Sequence, residues 1–221
     1  MKNKYSFVLL TLAALFCTSL VVSNVTAGKL WALPIWGLIL TGGVILFPIV
    51  YIIGDVIPEV YGYPTARKMI WLGFAMNLFA VIFFLITVKM AYPPFFEGQA
   101  AFETVLGFTP RLLIASFIAY LIGTNVNAWV LVLVKKLTNA KYLWVRTISS
   151  TIVGESIDST IFITLAFYGV VPNAALPTMI FAQATFKIVY EILATPITYL
   201  IIGYVKKLEG IEPLSMRVAG E

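Results

Sequence analysis

Residues 149–165 read SSTIVGESIDSTIFITL, an apolar stretch with Glu155 and Asp158 inside it. Three residues apart, the two carboxylates fall on one face of an α-helix. Placing Asp in hydrocarbon costs roughly 2.5–3.5 kcal/mol on insertion scales. A chain that accepts this cost has a use for the groups, so the rest of the sequence must say what they hold.

Composition makes hydrocarbon the setting. Of 221 residues, 61% are hydrophobic and 11% charged, with mean hydropathy +0.97. A soluble domain is nearer 45–50% apolar and about 25% charged. Several uncharged runs exceed the roughly 20 residues that cross a bilayer. The expected fold class is an all-α integral membrane protein, six transmembrane helices in one compact bundle over 1–221. The spans fall at about 5–28, 31–54, 69–88, 112–134, 147–170 and 177–204. Gly42, Gly43 and Pro48 make the second span irregular, because they loosen or kink a helix. Lys2 and Lys4 ahead of an apolar run have the form of a signal peptide, but the run is long for an h-region and reads as a retained first span. The polar connection from Lys89 to Pro110 has room for a short interfacial helix.

Six spans put both termini on one side. With that side inside, the inner segments hold Lys2, Lys4, Arg67, Lys68, Lys135, Lys136, Lys141, Arg146, Lys206, Lys207 and Arg217. Only Lys29, Lys89 and Arg111 fall outside, and Lys187 is intramembrane. The positive-inside rule therefore orients the chain N-in, C-in, with Trp31, Trp36, Trp71 and Trp144 as interfacial anchors.

No histidine and a single cysteine, Cys17, exclude an intramolecular disulfide and disfavour zinc, haem and iron–sulfur sites. No GxxxxGK[ST] sequence occurs, which removes ATP hydrolysis by a P-loop. Neither metal nor cofactor is expected.

Orientation converts sequence position into depth at 1.5 Å per residue. Glu155 lies roughly 13 Å and Asp158 roughly 18 Å from the inner end of the fifth span, while Lys187 and Glu191 lie roughly 15 and 21 Å from the outer end of the sixth. Lys187 thus falls level with the Glu155–Asp158 pair. In the structural reading, Lys187 bridges a carboxylate and pairs with Glu191 at i, i+4. Three carboxylates against one ammonium leave charge to be met by a proton, a cation or a ligand's donors. Intramembrane ionisable residues mark functional sites by default. Asn77, Asn125, Asn127 and Gln183 fall at compatible depths, with Phe162, Phe181, Phe186 and Tyr190 nearby. Carboxylates, carboxamides and aromatic faces together suit a flat polar heterocycle carrying N–H donors. Asp55 and Glu59, close to Arg67 and Lys68, read either as an interfacial salt-bridge network or as an inner gate. Ala115, Ala119 and Gly123 give small-xxx-small spacing, compatible with close packing in the bundle or in a homodimer.

Four segments carry a family resemblance: GDVIPEVYGYPTARKMIWLGF (54–74), PRLLIASFIAYLIG (110–123), LWVRTISSTIVGESIDSTIF (143–162) and FKIVYEILATPITY (186–199). They resemble the queuosine precursor transporters, within the vitamin uptake transporter group. The chain departs from that pattern at Pro58 and at Gly154–Ser156. The resemblance implies a bacterial inner-membrane protein related to the substrate-binding subunits of energy-coupling-factor transporters. It implies uptake of a 7-deazapurine (7-cyano-7-deazaguanine, 7-aminomethyl-7-deazaguanine or queuine) that feeds tRNA modification without direct nucleic-acid contact. An energising complex is compatible with this relation but not required by it. The substrate contacts expected are Glu155, Asp158, Lys187, Asn125, Gln183, Asn77 and Glu191; Asp55, Glu59 and Arg67 are expected to be structural or gating. Asp158 is the expected acceptor for the base edge, and Glu155 suits an aminomethyl cation. The alternatives are a binding subunit that depends on a partner and a membrane-embedded enzyme using Glu155 and Asp158 as acid and base.

Overall fold

The computed structural model describes residues 6–33, 37–138 and 143–211. Lys2, Lys4, Trp36, Lys141 and Arg217 lie outside the described residues, as do the side chains of Lys135, Trp144 and Arg146. Helix α1 spans Phe7–Thr26. A two-stranded hairpin follows, β1 (Leu30–Ala32) antiparallel to β2 (Ile39–Thr41). A 3-10 turn, Gly42–Leu46, leads into α2, Phe47–Tyr61. Next come α3 (Tyr63–Lys89), the short α4 (Gln99–Leu106) and α5 (Thr109–Leu137). Helix α6 (Leu143–Phe167) and α7 (Leu176–Leu208) complete the bundle.

Five stretches among the described residues are long and apolar enough to cross a membrane: 7–26, 42–61, 63–89, 99–134 and 173–208. Helix α6, with 25 residues, is also long enough, at about 37 Å. The outer surface is rich in exposed large apolar side chains, among them Phe79, Phe83, Trp129, Leu193 and Leu200. A water-soluble monomer rarely shows so much contiguous apolar surface. The chain is an all-α multi-pass membrane protein.

The second span departs from the 31–54 expectation. Residues 30–32 and 39–41 pair as strands, and the membrane-crossing stretch begins only at Gly42. The reason is local packing. A Cβ on Gly42 would lie 2.6 Å from the Thr26 carbonyl, and one on Gly43 2.6 Å from that of Ser23. The diglycine therefore presses backbone to backbone on α1, and the Ser23 hydroxyl donates to the Gly43 carbonyl at 3.1 Å. Moving the span along the chain places Asp55 six residues inside the end of α2, about 9 Å from that end.

One residue, Gly62, separates α2 from α3, with φ at +84°. This is a conformation that side chains with a Cβ rarely adopt, so the YGY segment depends on its glycine. The following TARK segment belongs to α3 rather than to a loop.

The core of the bundle is the α5–α6 pair. Ala115 and Ala119 are buried with Phe162, Ile163, Ala166 and Met179. Farther along the interface, a Cβ on Gly123 would meet the Asp158 Cβ at 2.8 Å, and one on Gly154 the Asn127 Cβ at 2.7 Å. The small-residue stripe of α5 is therefore covered by α6 within the chain. We expect Gly154→Val to destabilise the protein by about 1–3 kcal/mol, the usual cost of overpacking. A lowered thermal unfolding midpoint in detergent would register it; an unchanged midpoint would contradict this packing.

Candidate functional site

Three helices supply a charged cluster in the middle of the bundle. Lys187 on α7 is only 5% exposed. Its ammonium is bonded to Asp158 and lies 3.2 Å from the Glu155 carboxylate, both on α6. Across the space, α2 presents Phe47 and Tyr51 one turn apart. The Lys187 ammonium sits 5.0 Å from the centre of the Phe47 ring, within cation–π range. The Tyr51 hydroxyl donates to Glu155 Oε2 at 3.1 Å. Glu155 thus faces a tyrosine donor and an ammonium, whereas the Asp158 carboxylate is held by Lys187.

A neutral layer adjoins this cluster. The Asn24 amide on α1 donates to Asn77 Oδ1 on α3 at 2.7 Å, and the Ser116 hydroxyl on α5 donates to Asn24 Oδ1 at 3.0 Å. Asn77 donates in turn to the Gly73 carbonyl at 3.1 Å. On the opposite wall the Thr41 hydroxyl donates to Gln183 Oε1 at 3.1 Å. Gln183 is fully buried, yet its Nε2 has no partner among the described residues; the same holds for Asn127 Oδ1. Ser159 Oγ is a third such atom among the described residues, and an unpaired buried polar group costs about 1–3 kcal/mol, which makes these atoms unusual.

Both layers line one cavity of about 390 Å³. Its walls come from α1, α2, α3, α5, α6 and α7, with Phe16, Phe47, Tyr51, Phe74, Tyr120 and Phe162 as aromatic surfaces. Glu155, Asp158, Glu191 and Asp55 bring four carboxylates to it, against the single ammonium of Lys187. Its volume lies in the range of small-molecule sites.

Of the expected contacts, Glu155, Asp158, Lys187, Gln183, Asn77 and Glu191 all line this cavity. Glu191 does not pair with Lys187; its Oε1 accepts from Thr151 at 3.1 Å, because the ammonium is turned to α6. Asn125 is not brought to the cavity. It is exposed and donates back to the Leu121 carbonyl at 2.6 Å. Asn127 lines the wall instead, since two residues along a helix turn a side chain by about 200°. Phe181, Phe186 and Tyr190 also lie off the cavity, Phe181 two residues from Gln183 and 64% exposed. Depth alone could not separate these faces.

Asp55 joins the cavity wall, while Glu59 pairs with Lys206 of α7 at 2.6 Å rather than with Arg67 or Lys68. Tyr61 adds a hydrogen bond to Glu209 at 2.9 Å, tying the same two helix ends. Arg67 is exposed and makes no ion pair among the described residues. The readings missed Thr41, Phe47 and Tyr51. A signal for the last two was present: Phe47, Tyr51 and Asp55 recur every four residues, one stripe of a helix.

Membrane-crossing helices closed around a charged cavity of ligand size define a class, the solute transporters. A model of the family described as "Putative vitamin uptake transporter" matches residues 41–201, and the chain belongs to that family. It is a transporter, not an enzyme. It is 28% identical over 167 residues to the "Probable queuosine precursor transporter" of Bacillus subtilis (strain 168), covering 75% of this chain and 72% of that protein. Over 130 residues it is 29% identical to the protein of the same description from Haemophilus influenzae, covering 58% and 52%. The Escherichia coli K12 "Queuosine precursor transporter" is 28% identical over 128 residues, 58% and 55% of the two chains. The chain thus spans about half the length of the last two. No solved structure matches it.

Lys187→Met leaves Glu155 and Asp158 facing each other without their cation. Breaking a buried ion pair from one side costs about 3–5 kcal/mol. We expect a large fall in the thermal midpoint in detergent, substantially reversed when Glu155→Gln and Asp158→Asn are added. A triple variant no more stable than Lys187→Met would mean that charge imbalance is not the cause.

Proposed function

We propose that this protein takes up queuosine precursors of the 7-deazapurine class across a bacterial inner membrane, with both termini in the cytoplasm. The relatives' names support queuosine precursors as the cargo, and the excess of inner basic residues supports the orientation. The observation that carries the reading is the Glu155–Lys187–Asp158 cluster on the wall of an aromatic-lined cavity.

A guanine-like ring presents N–H and NH2 donors side by side. A carboxylate accepts two such bonds at once, and the aromatic walls offer faces on which the ring stacks. The donor edge supplies hydrogen bonds to carboxylates that the single ammonium of Lys187 does not fully satisfy. Asp158 is the acceptor of the base edge. Glu155, held more loosely by Tyr51 and Lys187, is the position that tolerates a cationic substituent. Glu191 and Asp55 extend the acidic wall.

Release inward requires α2 and α7 to part at their inner ends. The Glu59–Lys206 pair and the Tyr61–Glu209 hydrogen bond close that side, and their partial exposure makes them cheap to break. They act as the inner gate.

Purified protein in proteoliposomes should take up labelled 7-cyano-7-deazaguanine and deliver it chemically unchanged. Asp158→Asn should abolish this uptake while the variant still reaches the membrane in normal amount. Uptake by that variant at the wild-type rate would remove Asp158 from the site. Uptake that appears only after adding a second membrane complex would instead make the protein a binding subunit.

A further inference from the structure

We infer that Gln183 reads a carbonyl on the substrate ring through its Nε2, and that Thr41 holds the amide in the orientation that makes this possible. The inference rests on the proposed substrate class and assigns a specificity role within the same cavity.

A carboxamide has an acceptor end and a donor end. The acceptor end of Gln183 is taken by the Thr41 hydroxyl at 3.1 Å. The Thr41 backbone is anchored beside that end. It is fully buried at the end of β2, opposite Leu30 of β1, and the next residue's N–H donates to the Lys29 carbonyl at 2.6 Å. With Thr41 donating to Oε1, the donor end of Gln183 has no partner among the described residues and lies fully buried on the cavity wall.

The polar groups around it are mostly acceptors or already engaged. Glu155, Asp158, Glu191 and Asp55 accept, and Asn127 Oδ1 is an unpartnered acceptor. Lys187 is bound to two carboxylates, and the Tyr51 hydroxyl donates to Glu155. A ligand with donors only leaves the Gln183 amide unpaired, and one with acceptors only leaves the carboxylates unpaired. A lactam edge, with C=O beside N–H, satisfies both. Gln183 and Lys187 are one turn apart on the same face of α7, about 5–6 Å between Cβ atoms. The Gln183 donor thus lies beside the carboxylates that Lys187 holds, a donor and acceptors together as a ring edge with a carbonyl at one end and an amine at the other requires.

The test compares 7-cyano-7-deazaguanine with its 6-thio analogue, which keeps every N–H donor and replaces only the carbonyl oxygen with sulfur, a poor acceptor. Equilibrium binding is measured to the full chain in lipid nanodiscs. Wild type should favour the oxo base by about tenfold, the worth of one well-placed buried hydrogen bond. Gln183→Leu should bind the two bases within about twofold of each other. Thr41→Val, which keeps Gln183 but frees its amide, should also shrink the preference, and it carries the test should the leucine variant not purify folded. Wild type binding neither base would overturn the substrate class and this inference with it. Wild-type binding with the same oxo preference retained in both variants would overturn this inference alone.

Discussion

One ammonium holding two carboxylates inside an apolar bundle is the interaction on which the rest of this structure depends. Lys187, Glu155 and Asp158 require α6 and α7 to stay in register at mid-depth, and Phe47 and Tyr51 require α2 to face them. Such a cluster is a poor source of stability. The desolvation of three charges offsets most of their attraction, and well-packed apolar residues would serve the bundle as well or better. Its presence makes sense for a wall that must bind something polar and let it go.

The cavity has two kinds of wall, and their chemistry differs. On the α1–α3–α5 side, Asn24, Asn77 and Ser116 form a closed chain of neutral hydrogen bonds. The Asn24 and Asn77 amides find partners within the protein, so that part of the wall has little to gain from a ligand. On the α2–α6–α7 side, charges outnumber their counter-charges and Gln183 keeps an unused donor. That imbalance is what a ligand can correct. A rigid, satisfied wall facing an exchangeable one is a reasonable construction for a transporter, because binding energy is then gained only where the substrate is recognised.

Glycine decides how closely these walls approach. Gly123 and Gly154 let α5 and α6 meet with Asp158 and Asn127 against backbone, which aims both side chains at the cavity rather than at lipid. Gly42 and Gly43 seat the start of the second span on α1, and the hairpin before them carries Thr41 to Gln183. A Cβ at any of these four positions would force the backbones apart by a distance comparable to a hydrogen bond's tolerance. The glycines are therefore as much part of the site as the carboxylates.

Read alone, the amino-acid order determined the membrane class, the all-helical character of most apolar runs, and that Lys187 can meet Glu155 and Asp158 across neighbouring helices. Those follow from local quantities: hydropathy summed over a span, charge placement and a fixed rise per residue. Sequence could not decide which face each polar residue turns inward, because depth is one coordinate and rotation about the helix axis another. So Asn125 and Phe181 lie off the cavity, while Asn127, Tyr51 and Phe47 line it. Nor did it disclose the pairing of strands 30–32 and 39–41, whose apolar residues satisfy a span by composition. What makes a strand pair there is contact of Gly42 and Gly43 with α1, a tertiary event with no local signature beyond the diglycine. The carboxylate pair 149–165 announced a site; only packing against α2 and α7 determined its partners.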